Sequence, residues 1–189
     1  MENMVKANYK FWKNKRVLIT GHSGFKGTWL SLWLNQLEAE ICGISLEPDS
    51  KPNLYDQVNL SNVIEKDIMA DITIFDQLKR IIDQFEPEIV FHLAAQPLVL
   101  ESYKEPLVTW KTNVMGTVNL LNCFYGAKKK CVIIVITTDK VYENNEWLYG
   151  YRENDRLGGH DPYSSSKAAV ELLVDSWRNS FCNKLKSNI

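Results

Sequence analysis

The sequence is short of several things, and each lack narrows what it does. In 189 residues it has no apolar run near the roughly 18–20 residues of a membrane span. Its first residues lack the apolar core of a signal peptide. Charge is not skewed: 22 Lys and Arg face 23 Asp and Glu, a net charge of -1. No bulk field therefore draws the chain to nucleic acid or to a membrane surface. Cysteine is scarce, and Cys42, Cys123, Cys131 and Cys182 show no CxxC spacing. They read as reduced thiols, with Cys42 and Cys131 in strand-like runs. His22, His92 and His160 stand far apart without ligand spacing, so no metal site is expected. There are no internal repeats and no low-complexity segments. A single cytoplasmic domain with a substantial core is expected. The basic, aromatic lead-in (Lys6, Tyr9, Lys10, Phe11, Trp12, Lys13, Lys15) is expected to cap the first strand rather than to anchor the chain.

What is present alternates. Apolar runs at 16–20, 41–46, 63–68, 89–93 and 131–136 read as strands. Helix-period segments follow at about 25–37, 74–85, 106–125 and 163–181. Five strands interleaved with these helices predict an α/β fold with a doubly wound parallel sheet in the order 3-2-1-4-5. Ligands in such sheets bind beyond the carboxyl ends of the strands, here across strands 1 and 4.

Between the first strand and its helix lies Gly21-His22-Ser23-Gly24-Phe25-Lys26-Gly27, spaced GxxGxxG. Strand, glycine turn and helix together make a phosphate site, because glycines allow close backbone approach and the helix N-terminus offers free N–H groups and a positive dipole end. About 20 residues on, Glu47 is either the acid that holds a ribose 2′-hydroxyl or a solvated loop acid before Pro48. No arginine flanks it, which favours NAD over NADP. The fourth strand runs into Ala94-Ala95-Gln96, small enough for a cofactor to lie against the backbone. Asn113 interrupts the apolar side (Trp110, Val114, Val118, Leu121, Phe124) of a long helix, and a hydrogen bond to a loop is the favoured reason. Lys128-Lys129-Lys130 reads as a solvated turn.

The chain is organised around residues 136–167. The run 131–136, short and β-branched, predicts a fully buried parallel strand. Thr137, Thr138, Asp139 and Lys140 then fall where chemistry is expected. Tyr163 and Lys167, four apart on a helix, share one face. An ammonium beside a phenol favours the phenolate, so Tyr163 could serve as a base near neutral pH. Alone, such a pair is equally a surface Tyr and Lys.

Taken together, GHSGFKG at 21–27, Asp71-Ile72, HLAAQ at 92–96, Asn113, TTD at 137–139 and YSSSK at 163–167 resemble the extended short-chain dehydrogenase/reductases, over residues 15–182. Lys26 in the glycine loop, Asp139-Lys140, and EWLYGYRENDRLGGHDPYSSSK at 146–167 narrow the resemblance. They match nucleotide-sugar 4,6-dehydratases, and among these the CDP-glucose 4,6-dehydratases. The resemblance implies NAD as cofactor on the glycine loop, with Asp71 and Ile72 at its adenine. Leu93, Ala94, Ala95, Gln96 and Thr137 would line it, with Tyr163 and Lys167 at the nicotinamide ribose. It also implies a homodimer through the helices near 106–125 and 163–181, whose Trp110, Phe124 and Trp177 exceed what one sheet face consumes.

The implied reaction is a dehydration of CDP-glucose by internal redox. Thr138 binds the sugar 4-hydroxyl and Tyr163 takes its proton. Lys140, with a pKa lowered by burial, removes the proton on carbon 5. Asp139, as a neutral acid, protonates the departing 6-hydroxyl. Two alternatives remain: a nucleotide-sugar 4-epimerase, which does not need the Asp139-Lys140 pair, and a non-catalytic NAD-binding fragment. Extended members of the resembled family continue for well over a hundred residues into a nucleotide-sugar domain. Residues 1–189 are therefore expected to be the NAD-binding domain, inactive by itself toward CDP-glucose.

Overall fold

The computed structural model describes residues 8–127 and 129–182. Lys6, Lys128 and the segment 183–189 lie outside them. Five parallel strands form one sheet: β1 (Arg16–Thr20), β2 (Glu40–Ser45), β3 (Lys66–Met69), β4 (Ile89–His92) and β5 (Val132–Val135). Their order is β3-β2-β1-β4-β5, as the alternation predicts. The helices are α1 (Tyr9–Trp12), α2 (Phe25–Gln36), α3 (Leu54–Gln57), α4 (Phe75–Phe85), α5 (Val99–Lys104), α6 (Pro106–Trp110), α7 (Gly116–Cys123) and α8 (Pro162–Trp177).

Each face of the sheet carries its own core. On one, α4 and α7 cover Leu18, Cys42, Ile44 and Val90 with Leu78, Ile82, Phe85, Leu120 and Phe124. On the other, α2 and the turns near α3 cover Val17, Ile19 and Ile41 with Leu34, Tyr55 and Leu60. Trp12 of α1 also packs there, its ring centroid 6.3 Å from that of Phe91. The lead-in aromatics thus divide: Trp12 caps the core, while Tyr9 and Phe11 are exposed.

Four expectations need correction. The third strand starts at Lys66, because Val63 and Ile64 close a 3₁₀ turn over Leu60–Asn62 through bonds to the Leu60 carbonyl. The fifth strand is not fully buried. It forms an edge of the described sheet, and Val132 is 60% exposed. Phe124 is buried in the core and is not surplus apolar surface. Finally, α5 was not foreseen, since 99–104 mixes apolar and charged residues without a clear period.

Helices α6 and α7 run on through a π-turn at Lys111–Met115, so the predicted long helix is one helical stretch with a widened turn at Asn113. The side it buries holds Thr109, Asn113, Thr117, Leu120 and Leu121, and Trp110 faces outward. Cys42, Cys123 and Cys131 are buried free thiols, and burial pushes each up to about 12.

Candidate active site

The glycine loop closes β1 onto α2. Gly21 has φ +77°, and a β-carbon there would lie 2.7 Å from the Ala94 nitrogen. A β-carbon at Gly27 would lie 2.1 Å from the Gly21 carbonyl oxygen. Both positions need glycine for packing. Gly24 differs: its β-carbon would meet only that same oxygen, at 3.4 Å. Gly24 is also the N-cap of α2, with no side chain bonded to the helix end. An exposed, uncapped helix N-terminus over a bare glycine is a place for an anion such as a phosphate. Phe25 and Lys26 are exposed beside it.

His22 points away from that opening. It is fully buried, its Nε2 2.7 Å from Asp67 Oδ1, and a β-carbon at Gly43 would strike its ring at 2.4 Å. Tyr55 donates a short hydrogen bond to the other Asp67 oxygen. Burial, then the bond to Asp67, pushes the Tyr55 hydroxyl up to about 12. The His22 side chain therefore braces the loop from below through β2 and β3. Ser23 Oγ donates to the Leu46 carbonyl at 2.9 Å, fastening the loop to the end of β2, one residue before the exposed Glu47.

Asp71 is half-buried, and its carboxylate accepts the Thr73 N–H at 2.8 Å. Ile72 is buried against Gly116, whose β-carbon would lie 2.5 Å from Ile72 Cδ1. Little of Ile72 is therefore open to a ligand. Asn119 donates to the carbonyls of Ile72 and Thr73 and holds that turn, a role not foreseen in the sequence.

The segment Leu93, Ala94, Ala95 and Gln96 is half-buried at the end of β4 and is held by a polar network. His92 Nδ1 lies 2.6 Å from Thr20 Oγ1 and its Nε2 2.9 Å from Thr117 Oγ1. Burial, and secondarily the Lys167 charge, drive His92 down to about 3, so it stays neutral. Asn113 accepts the Gln96 N–H at 2.8 Å and donates to the Gln96 carbonyl at 3.2 Å and to Ser166 Oγ at 2.8 Å. The structural role expected for Asn113 is thus observed: the π-turn presents it so that β4 and α8 are locked together.

Asp161 caps α8 by accepting the Ser164 N–H, with Pro162 in the first turn. The cap sets where Tyr163 and Lys167 fall. Tyr163 is half-buried and Lys167 buried, so the surface alternative for the lysine is excluded. Lys167 Nζ donates to the Ile136 carbonyl at 2.8 Å. Burial lowers its pKa to about 8, against an opposing pull from Glu171. Thr137 donates a short bond to Glu171, giving a second tie between β5 and α8.

Beyond Thr137 the chain turns outward. Thr138 Oγ1 donates to Asp139 Oδ1 at 2.9 Å, and Lys140 Nζ lies 3.5 Å from the same oxygen. The side chains of Asp139 and Lys140 are 87% and 55% exposed. The Thr138 hydroxyl, then Lys140, hold the Asp139 carboxyl below the usual carboxylate range. In this state the pair is a solvated ion pair, without the burial that a neutral acid and neutral base need. It borders a depression of about 420 Å³ lined also by Tyr142, Tyr151, His160 and Asp161. Tyr142 and Tyr151 stack in parallel, centroids 5.3 Å apart. These aromatics escaped the sequence reading; their density over 142–151 was the available signal. A cavity of about 340 Å³ at the amino ends of β4 and β5, near Ile82, Phe124 and Cys131, lies at the wrong end of the strands for this chemistry. No group of three or more His, Cys, Asp or Glu among the described residues could hold a metal ion, and no helix there is long and apolar enough to cross a membrane.

The family model described as GDP-mannose 4,6 dehydratase matches residues 18–188. A CDP-glucose 4,6-dehydratase of Salmonella typhimurium is 50% identical over 173 residues, covering 92% of this chain and 48% of that protein. A CDP-paratose 2-epimerase of Salmonella typhi is 31% identical over 176 residues, covering 84% and 52%. Among solved structures, a UDP-glucose 4-epimerase of Thermus thermophilus in complex with NAD superposes with a TM-score of 0.73 at 25% identity, over 88% of this chain and 52% of that one. The chain spans about half the length of these relatives. With the match running through the glycine loop, the braced β4 end and the Tyr163–Lys167 helix, the chain belongs to the GDP-mannose 4,6 dehydratase family, a family of enzymes.

Proposed function

We propose that these residues form the NAD-binding, catalytic half of an enzyme that dehydrates CDP-glucose to a 4-keto-6-deoxy sugar. The observation that carries this is the bond from Lys167 Nζ to the Ile136 carbonyl, which puts Tyr163 and the acid–base pair Asp139–Lys140 at one strand end. The residues fit a dinucleotide: the open Gly24 at the α2 N-terminus suits a pyrophosphate, and small Ala94 and Ala95 suit close approach. The NAD complex of the Thermus relative supports that choice. A bound nicotinamide would accept hydride from sugar carbon 4 and return it to carbon 6.

The rest falls to this chain's own groups. Thr138 orients the 4-hydroxyl and Tyr163 takes its proton. Once carbon 4 is a ketone, the carbon 5 proton is acidic, and Lys140 Nζ removes it while Asp139 protonates the leaving 6-hydroxyl. The ion pair seen here can reach those forms without any net proton. Covering it with substrate disfavours both charges, and one proton moving from Lys140 to Asp139 gives neutral base and neutral acid.

An epimerase also oxidises carbon 4 but needs no such pair, so Asp139–Lys140 favours dehydration. The 50% identity to a CDP-glucose enzyme supports the cytidine nucleotide. Incubating CDP-glucose and NAD with the protein, extended to its relatives' length, tests the proposal. A product lighter by one water with a 4-keto group is expected. A 4-epimer of unchanged mass would overturn it.

A further inference from the structure

Consecutive residues at the end of β5 are gripped by consecutive turns of α8. The Ile136 carbonyl accepts the Lys167 ammonium at 2.8 Å, and the Thr137 hydroxyl donates a short bond to the half-buried Glu171 carboxylate. One such bond fixes a distance. A pair of them, one on the backbone and one on a side chain, also fixes how the strand end is turned about its own axis.

The turn that Thr137 leads into carries the acid–base pair. Thr138 caps the 3₁₀ turn Asp139–Val141 by accepting the Lys140 N–H at 3.4 Å, and it donates to Asp139 Oδ1 at 2.9 Å. A rotation at Thr137 therefore swings Asp139 and Lys140 together. Their own side chains stand mostly in solvent and give the turn little anchorage. On its far side the turn is held by buried Val141, whose carbonyl accepts the Gly158 N–H at 2.8 Å. On its near side the bond from Thr137 to Glu171 is the anchor.

That bond needs an oxygen and not a charge. A glutamine amide would accept the same hydroxyl, and a neutral amide costs less to hold half-buried than a carboxylate does. The charge has a second use. Glu171 is one turn along α8 from Lys167, on the same face. The Lys167 ammonium is buried, and its hydrogen-bond partner is a neutral carbonyl. Burial lowers its pKa to about 8, and the Glu171 charge pulls it back up. Other groups around α8 are engaged elsewhere. His92 of β4 is neutral. Asp139 and Lys140 pair with each other in solvent. Lys104 pairs with Glu101 at 3.1 Å, and Tyr103, Glu105, Lys111 and Arg178 are exposed.

We propose that Glu171 is a positioning residue for the dehydration: through Thr137 it aims the turn that carries Asp139 and Lys140, and it is the counter-charge of the Lys167 ammonium beside Tyr163. This rests on the reaction proposed above.

Substitutions in the protein extended to its relatives' length separate the two actions. Glu171→Gln keeps the acceptor and removes the charge. Thr137→Val removes the bond and keeps the charge. Glu171→Ala removes both. Profiles of kcat against pH, at saturating NAD and CDP-glucose, read the charge. Loss of a nearby anion lowers a lysine pKa, so in Glu171→Gln the alkaline limb should move down by about one pH unit. In Thr137→Val the limb should stay and kcat should fall about ten- to a hundredfold at every pH, because small misplacements of reacting groups are costly. Glu171→Ala should show both effects. Amide exchange at 138–140 should quicken in Thr137→Val and Glu171→Ala and stay as wild type in Glu171→Gln. A role in packing alone would move no pH limb.

Lys167 can also be followed without turnover. Its ε-carbon NMR signal, assigned with Lys167→Met, should titrate about one pH unit lower in Glu171→Gln than in wild type. That titration and the exchange judge Glu171 even where the product is a 4-epimer, which would overturn the dehydration reading alone. Should Thr137→Val or Glu171→Ala fail to fold, Glu171→Gln, nearly equal in shape to the wild type, still decides. The proposal is overturned by a Lys167 titration or an alkaline limb that does not move in Glu171→Gln. It is equally overturned by exchange at 138–140 that does not change in Glu171→Ala.

Discussion

Lys167 Nζ and the carbonyl oxygen of Ile136 are 2.8 Å apart, and that one bond sets α8 on the end of β5. A buried ammonium held on a backbone carbonyl is costly, which has a consequence for pH. Its pKa falls from 10.5 to about 8 in the fold. Between those values the unfolded chain holds more protons, so stability from this group rises with pH. Below about 8 both states are charged and the cost is fully present. Lys167→Met should remove the trend, and the difference between wild type and variant should change by of order 3 kcal/mol across the window. Denaturant titrations at pH 7 and 10 measure it. The difference is the proper readout, because the buried thiols, ordinarily near 9 and pushed up to about 12, lower stability above pH 9. A difference that does not change with pH would contradict the buried placement of Lys167.

Gly24 and Gly27 should separate binding from folding. Gly24 has an extended φ of -72° and room for a side chain, and it sits at an N-cap, where Asp is favoured. Gly24→Asp should therefore fold with stability within about 0.5 kcal/mol of wild type. It should lose NAD binding, since charge and bulk would fill the anion site. Gly27→Ala should instead destabilise by about 1–3 kcal/mol through the clash with the Gly21 carbonyl. Thermal melts and NAD titration check both.

Asn113→Ala should leave the half-buried Gln96 N–H without its partner, while the Ser166 hydroxyl keeps its own bond to the Tyr163 carbonyl. An unmet buried group costs about 1–3 kcal/mol, so a loss of about 1–3 kcal/mol is expected, with faster amide exchange at 94–96. Exchange unchanged there would mean that the network does not hold the loop.

These cases mark what could be read beforehand. Strand order followed from alternating runs and a glycine turn, which are local patterns. The direction of His22 did not, because it depends on Asp67 and Tyr55, brought together only when β3 and α3 pack. The burial of β5 depends on what lies beyond it in the sheet, and no residue of 131–136 carries that information. Asn113 was legible as an anomaly on an apolar side, but its partners in the Gln96 loop and in α8 were not. Phe124 and Trp110 share one helical stretch, yet the π-turn between them rotates the first into the core and the second outward.

The α6–α8 face is expected to pair two copies. Leu107, Val108 and Trp110 on α6 and Leu172 on α8 are exposed apolar residues on adjoining helices. Leu107→Glu/Leu172→Glu should lower the mass by half in equilibrium sedimentation, with folding retained. A mass equal to wild type would contradict the pairing.

The most direct test of the central claim is the rate of water loss from CDP-glucose in the protein extended to its relatives' length, compared with Lys140→Met and Asp139→Asn. Each variant should still bind NAD but fall about 10²–10⁴-fold in kcat, the usual worth of a positioned acid or base. Lys140→Met should also stop exchange of the carbon 5 proton with deuterated solvent. Dehydration at the wild-type rate in both variants would show that Asp139 and Lys140 are only a solvated pair in a loop.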